Sequence, residues 1–286
     1  MRSQILAYVS DFSIIGCLEV HMFIKKYSQM LKIPGNIFNE YNMNDIAYFD
    51  IETTGFDRCN DNIILISFGN FINHEEFSIT QYFAEDLEDE GEVLYSFGHD
   101  ILNYNNWCSY NGIAFDEPFI CERMLKSNIN FEPPKYHIDL YRRVRPYYRQ
   151  LGMERCNLKT VEKYIGVNRR DQIDGGVSVD LYNEFLSTGD KKLEEVIMLH
   201  NYEDVLNLPK IHEFVYKIEN NNSIVRNDSI TQKQLKFLTS LLKKNHIEIS
   251  FSINKMSKRS ASRAIDYILK GGKNSEEIES ISNNSY

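Results

Sequence analysis

The sequence predicts an α/β domain with a mostly contiguous sheet, followed by a small C-terminal module of two helices. Strand-like segments come first along the chain and helix-like segments follow, which is the order expected for such a domain. The chain of 286 residues is 42% hydrophobic, enough for one ample core and a second small one.

The predicted strands are apolar runs bounded by polar or turn-forming residues. They lie at residues 45–52, 62–71, 75–83 and 107–112, and another is expected to begin at residue 136. Residues 1–44 show no comparable pattern and are interpreted as an N-terminal extension of unclear role. The α/β domain is therefore expected to span residues 45–218.

The predicted helices combine apolar residues at helical spacing with recognisable ends. They lie at residues 116–128, 157–166 and 190–218. Asn157 is a candidate N-cap and Gly166 a stop signal for the second helix, and Pro209 interrupts the third.

A polar linker at residues 219–228 precedes a basic module at residues 229–273, where Thr231 and Gln234 have capping-box spacing. The module carries ten basic and two acidic residues, a net charge of +8, although the whole chain carries −9. This contrast predicts a polyanionic partner. Residues 274–286 are expected to form a flexible tail.

The composition excludes several classes of protein. No apolar run approaches the roughly 18–20 residues of a membrane helix, and no signal peptide is predicted. The five cysteines are odd in number and lack C-x-x-C spacing, which disfavours a disulfide framework and a zinc site. A cytoplasmic protein without a membrane partner is expected.

The segment AYFDIETTGF places two carboxylates inside an apolar strand. Asp50 and Glu52 are two residues apart, so their side chains point to the same face. Burying an unpaired ion costs several kcal/mol, and a like-charged neighbour raises that cost. A divalent cation would stabilise the pair, because carboxylates are hard oxygen ligands suited to Mg²⁺ or Mn²⁺.

Two later segments offer the further ligands that such a site needs. Asp116 follows an Asn-Gly loop at the start of a predicted helix, where a simple capping role is the alternative. His200 and Asp204 are four residues apart on a helix and share a face. A satisfied histidine and a solvated aspartate are the alternative interpretation of that pair.

The segments FDIETTGF, NGIAFD and HNYEDV, in this order, resemble the motifs of the DEDD superfamily of 3′–5′ exonucleases on the ribonuclease H-like fold. The resemblance is closest to the YprB-like ribonuclease H-like domain family and covers residues 46–216. It implies a ribonuclease H-like mixed sheet flanked by helices. It also implies that Asp50, Glu52, Asp116 and Asp204 hold two divalent ions, Mg²⁺ or Mn²⁺. His200 would then orient or deprotonate the attacking water.

The resemblance implies a 3′–5′ exonuclease that hydrolyses single-stranded 3′ ends, with DNA expected over RNA. Candidate nucleic-acid contacts lie within the first two motifs, at Thr53, Thr54 and Gly55 directly after the strand and at Asn111. Others are Arg142, Arg143 and Arg145, which are interleaved with tyrosines and suit a single strand unless they form a solvated face.

Several alternatives stay open from the sequence. The domain could be a catalytically inactive module that binds nucleic acid, or a nuclease directed at RNA. A phosphatase of the haloacid dehalogenase type would use DIETTG alone and leave the other two motifs without a role. Arg169 and Arg170 are expected in a surface loop, Asp139 is expected to have a structural role, and His137 carries no functional signal.

Overall fold

The structure is a computed structural model that describes residues 22–221 and 223–283. The described residues form two compact units, of which the first contains those up to Arg143 together with Cys156–Lys217. The second contains Val144–Arg155 and the residues from Ile218 onward. The predicted domain at 45–218 therefore requires a correction, because Val144–Arg155 group with the C-terminal residues. One contact that joins these two segments is the hydrogen bond that the Asn227 amide donates to the Pro146 carbonyl (3.0 Å).

The first unit is built on one mixed sheet of six strands. The strands are β1 (Phe23–Met30), β2 (Ile46–Thr53), β3 (Ile63–Asn73), β4 (Glu76–Phe83), β5 (Asn106–Ser109) and β6 (Tyr136–Asp139). Their order across the sheet is β1-β4-β3-β2-β5-β6. Strands β1 to β4 pair antiparallel, whereas β2, β5 and β6 run parallel. The predicted α/β fold with a contiguous mixed sheet is confirmed.

Strand β1 corrects the predicted domain start at residue 45. It lies within the presumed N-terminal extension and pairs along its whole length with β4, from Phe23 opposite Phe83 to Met30 opposite Glu76. Its sequence, FIKKYSQM, is largely polar because it forms an edge strand that is mostly half-buried or exposed. Pairing with β4, a tertiary contact, decides its conformation. Residues 1–21 of the extension lie outside the described residues.

Helices cover both faces of this sheet. They are α1 (Gly35–Glu40), α2 (Glu90–Ile101), α3 (Asp116–Lys126), α4 (Leu140–Val144), α5 (Leu158–Tyr164), α6 (Gly175–Thr188) and α7 (Lys191–Glu219). The predicted helices correspond to α3, α5 and α7, and α7 continues through Pro209. Helices α2 and α6 were not predicted, because glycines occupy positions in the first turn of each.

Alternate residues of β2 face opposite sides of the sheet. Phe49 and Ile51 join a buried cluster with residues of α2 and α3, including Phe97 and Phe119. A second cluster on the sheet includes residues of α6 and α7. The intervening residues of β2, among them Asp50, face α7. The amphipathic pattern of one strand thus separates the main core from the polar site.

The second unit contains three helices where two were predicted. They are α8 (Gln232–Lys244), α9 (Lys258–Leu269) and α10 (Ser275–Asn283). Helix α10 corrects the predicted flexible tail, because Ile278 is fully buried in the core of this unit. The end of the predicted linker is also held in place, because the backbone carbonyl of Asp228 accepts a hydrogen bond from the Lys258 amide (2.8 Å).

Two findings bear on the excluded classes of protein. Among the described helices, none is both long and apolar enough to cross a membrane. Four of the five cysteines lie in the described part of the chain and form no disulfide there, namely Cys59, Cys108, Cys121 and Cys156. Cys17 lies outside it.

Candidate metal site

The first acidic pair lies near the carboxyl end of β2. Asp50 and Glu52 lie on the same face of this strand, as the period-two pattern predicts, and Glu52 is buried. Strand β2 is the point at which the antiparallel and parallel halves of the sheet meet. Ligand sites in α/β sheets commonly lie at the carboxyl ends of strands where the strand order changes direction.

Asp116 reaches this pair from the first residue of α3. Its Oδ1 accepts a hydrogen bond from the Ile51 amide (3.3 Å), between the two acidic residues of β2. The loop that precedes it is tightly packed, because a Cβ at Gly112 would lie 2.1 Å from the Ser109 hydroxyl and 3.3 Å from Asp116 Oδ2. Gly112 thus lets the chain turn closely from β5 into α3.

Helix α7 supplies the third group of side chains. Asn201 donates to Asp50 Oδ2 (2.7 Å), which fixes this helix against β2. His200 and Asp204 lie one turn apart on α7. The Nε2 atom of His200 is 3.7 Å from both Glu52 Oε1 and Asp204 Oδ2. Ligand atoms of Glu52, His200 and Asp204 all lie within 4.8 Å of one another.

The carboxylates raise one another's pKa. Burial, followed by the charges of Asp204, Asp116 and Glu52, raises the pKa of Asp50 well above its ordinary value. Burial and the Asp204 charge do the same for Glu52, and burial raises the pKa of Asp116 to about 7. Four acids that oppose one another's ionisation form a site with a deficit of positive charge.

Arg169 supplies part of the missing positive charge, which the sequence analysis did not foresee. Its side chain is only 7% exposed, so the expected surface-loop position is wrong. The guanidinium pairs with Asp204 and contacts Glu162 (3.1 Å) and Asp171 (3.0 Å). Its Nη2 also donates to the His200 carbonyl (3.0 Å). The sequence contained one signal for this role of Arg169, because a buried site rich in acids needs a cation, either from the chain or from solution.

Asp171 fixes the orientation of the His200 ring. Its Oδ2 lies 2.7 Å from His200 Nδ1 and can accept only from an N–H there, and Nε2 faces Glu52 and Asp204. Asp171 is itself held by Arg169 and by Lys159 (3.2 Å). Because carboxylate partners of this kind set the tautomer of a site histidine, this network prepares Nε2 to accept a proton or a cation.

Thr53, Thr54 and Gly55 were predicted to contact nucleic acid, but their interactions in the structure lie within their own turn. Thr53 Oγ1 donates to the Gly55 carbonyl (2.6 Å), and Thr54 Oγ1 accepts from the Asn62 amide (2.9 Å). A Cβ at Gly55 would meet the Asp61 carboxylate at 2.3 Å, so this glycine makes room for a side chain of the turn. Phe56, which the sequence analysis passed over, is 88% exposed beside this turn.

Asn111 and Arg142 are both organised by Asp139. The Asp139 carboxylate accepts from the Asn111 amide (2.9 Å) and pairs with Arg142 (3.3 Å), which agrees with its expected structural role. Asn111 itself is exposed and adopts a left-handed φ of 70°. Arg142 and Arg143 lie on α4, whereas Arg145 lies in the second unit, so the three arginines do not lie on one helix.

His137 has a defined structural role at this edge of the sheet. Its Nε2 lies 2.7 Å from the Ser109 hydroxyl, and its Nδ1 lies 2.5 Å from Glu117 Oε2. These three residues tie β5, α3 and β6 together next to Asp116. Ser109 is fully buried, so the arrangement braces the loop that carries Asp116.

The donor set fits a divalent cation. The nearby atoms are mostly carboxylate oxygens, which are ligands of Mg²⁺ and Mn²⁺, together with one imidazole nitrogen, which suits a transition metal better than Mg²⁺. Nε2 of His200 forms no hydrogen bond to any residue that the structure describes, although its side chain is only 5% exposed. Arg169 binds Asp204 through Oδ1 and leaves Oδ2 toward the histidine.

The chain is similar to known proteins over the range of residues that carries this site. The family model of the RNase_H superfamily matches residues 47–216, a range that includes all four acids and His200. The chain is 27% identical over 175 residues to the uncharacterized protein YprB of Bacillus subtilis (strain 168). That match covers 60% of this chain and 42% of YprB, so the chain spans less than half the length of this curated relative.

Among solved structures, the chain is similar to the family B DNA polymerase of the archaeon Pyrobaculum calidifontis, with a TM-score of 0.46 and 17% identity. The similarity covers 78% of this chain and 26% of the polymerase. The family model spans more than half of the chain and runs from β2 to α7, the elements that carry the acidic site. The chain therefore belongs to the RNase_H superfamily.

Proposed function

We propose that this protein is a metal-dependent 3′–5′ exonuclease that acts on single-stranded 3′ ends, with DNA preferred over RNA. One observation carries the proposal: Asp116 contacts β2 between Asp50 and Glu52, and Glu52 and Asp204 both lie 3.7 Å from His200 in the same site. Two Mg²⁺ or Mn²⁺ ions held by these acids are proposed as cofactors. The odd cysteine count in the sequence supports a cytoplasmic location.

Each side chain of the site has its own role in the proposed hydrolysis of a phosphodiester. Divalent ions at such a site lower the pKa of water and neutralise charge on the attacking and leaving oxygens. Asp50 and Glu52 present carboxylates from a rigid strand, and Asn201 holds Asp50 in place. His200, with its proton on Nδ1 toward Asp171, accepts a proton from water at Nε2. Arg169 and Asp171 keep that ring and Asp204 in position.

The test is digestion of end-labelled DNA and RNA strands, with 3′ ends free or blocked, in Mg²⁺ and in Mn²⁺. We expect 5′-mononucleotides from free 3′ ends, no product from blocked ends, and complete inhibition by a chelator. Asp50→Ala and Asp204→Ala should lower the rate by at least about 10³-fold. An Asp50→Ala protein that degrades DNA as fast as wild type would show that the site is elsewhere.

A catalytically inactive module that binds nucleic acid is the second candidate. The observation that favours it is the ion pair between Arg169 and Asp204, because an internal cation then occupies one oxygen of a predicted metal ligand. This candidate predicts tight binding of oligonucleotides and no hydrolysis with any divalent metal. Faster digestion of RNA than of DNA in the same assay would instead favour the RNA-directed nuclease.

A further inference from the structure

The second unit carries a basic surface, defined here as the exposed faces of α8 and α9. Its basic residues are Lys233, Lys236, Lys243 and Lys244 on α8, and Lys258, Arg259 and Arg263 on α9. Leu238 and Leu242 of α8 and Ala261 and Ala264 of α9 point the other way into the core. Helical periodicity therefore gathers the charges on the side opposite the core.

The described part of the structure shows no interaction within the protein that would explain these charged side chains. None of the seven side chains forms an ion pair or a hydrogen bond within residues 22–221 and 223–283. Lys233 and Lys236 are three apart, and Arg259 and Arg263 are four apart, so each pair of like charges destabilises its helix slightly. Neither helix has an acidic residue in its first turn, where one would stabilise it.

Helices α8 and α9 carry one acidic residue between them, Asp266, which pairs with Lys270 (2.7 Å). Glu248, Glu276 and Glu279 gather around one cavity formed by the loop after α8 and the start of α10. A surface that serves solubility alone usually mixes both signs of charge. This excess of basic over acidic residues on two helices, in a chain whose net charge is −9, points to recognition of a polyanion.

An exposed aromatic ring lies within the basic surface. Phe237 is 47% exposed and lies four residues after Lys233 and seven before Lys244, so these three residues share one face of α8. Phosphates bind lysine and arginine, whereas unstacked bases bind aromatic rings, so this combination suits single-stranded nucleic acid better than a duplex or an acidic protein.

We propose that the basic surface binds the sugar-phosphate backbone of single-stranded nucleic acid, with Phe237 stacking on a base. This site is separate from the acidic site of the first unit and goes beyond the proposed hydrolysis. It would hold a strand whether or not the first unit cleaves it. Because the contacts are ionic, affinity should depend steeply on salt and little on sequence.

The experiment measures anisotropy of a labelled single strand bound to the full chain in EDTA, from low to moderate salt. The triple variant Lys233→Gln, Lys236→Gln, Lys244→Gln keeps good helix formers and removes three charges. Its matched control, Lys32→Gln, Lys163→Gln, Lys192→Gln, removes three exposed charges from the first unit. Circular dichroism checks that both variants are folded.

We expect the basic-surface variant to bind at least tenfold more weakly near 0.1 M salt, with a log–log salt slope about 2 shallower. The control should change neither quantity appreciably. Phe237→Ala should weaken single-strand binding about fivefold while leaving duplex binding unchanged. Because EDTA prevents metal-dependent cleavage, these results do not depend on the proposed hydrolysis.

Equal losses in the two triple variants would overturn the proposal, as would an unchanged salt slope in the basic-surface variant. An oligo-aspartate of matched charge that competes as well as the oligonucleotide would also overturn it, in favour of an acidic protein partner.

Discussion

Arg169 forms a buried ion pair with Asp204, the aspartate that the third motif predicts to bind metal. The same guanidinium contacts Glu162 and Asp171 and the carbonyl of His200. Arg169 thus connects the loop before α6 to the face of α7 that carries the site. In the absence of an added cation, Arg169 is the main positive charge that offsets Glu162, Asp171 and Asp204.

Arg169→Met should destabilise the protein by about 3–5 kcal/mol, because it leaves Glu162, Asp171 and Asp204 buried without their cation. Urea unfolding at pH 7 measures the effect. Arg58→Met is the control, since Arg58 is exposed and should shift stability by less than about 0.5 kcal/mol. An Arg169→Met protein as stable as that control would show that the acids need no cation from the chain.

Asp50→Asn should raise the melting temperature in EDTA, because it removes one of four mutually repelling carboxylates. Mg²⁺ or Mn²⁺ should raise that of wild type by several degrees at saturating concentration and that of the variant much less. Asp180→Asn, at an exposed position of α6, controls for the loss of one charge. Identical metal-induced shifts in wild type and Asp50→Asn would remove Asp50 from the ligand set.

His212 should make the protein less stable in mild acid. Burial lowers the pKa of His212 from 6.5 to about 3, and its ring stacks on Tyr41 (4.1 Å between centroids). A lowered folded-state pKa contributes stability above the unfolded value of 6.5, and this contribution is lost as the pH falls toward 3. The loss should reach about 2 kcal/mol at pH 5.

Denaturant titrations of wild type and His212→Gln across pH 7 to 5 test this. The difference in unfolding free energy between them should shrink as the pH falls, because only wild type has an imidazole at this position that gains a proton on unfolding. His99→Gln is the control, since that side chain is 74% exposed. A difference between wild type and His212→Gln that stays constant across this range would contradict the prediction.

Phe56→Ala should weaken binding of single-stranded 3′ ends about fivefold without lowering stability. Phe56 is 88% exposed, and its ring centroid lies 6.0 Å from that of Phe115, which immediately precedes Asp116. An exposed aromatic beside the acids is suited to stacking on a terminal base. Tyr95→Ala, at an exposed position on α2, is the control, and equal binding by the two variants would exclude this role.

The central strands of the sheet were predictable from local patterns, whereas the edge strand β1 and helix α10 were not. Strands β2, β3 and β4 are apolar enough to be recognised alone, and α5 has its cap at Asn157, where the side chain accepts from the Thr160 amide. Strand β1 and helix α10 were missed because each is polar over most of its length. Pairing with β4 and burial of Ile278 determine those two elements.

The sequence by itself determined that Asp50 and Glu52 share a face and that His200 and Asp204 share another, because strand and helix periods fix those relations locally. The tertiary structure alone decided that Asp116 meets the β2 backbone, that Asn201 binds Asp50, and that Arg169 enters the site. These contacts join residues 35 to 151 positions apart. Only the packed sheet and helices bring such groups within hydrogen-bonding distance, so no local pattern could reveal them.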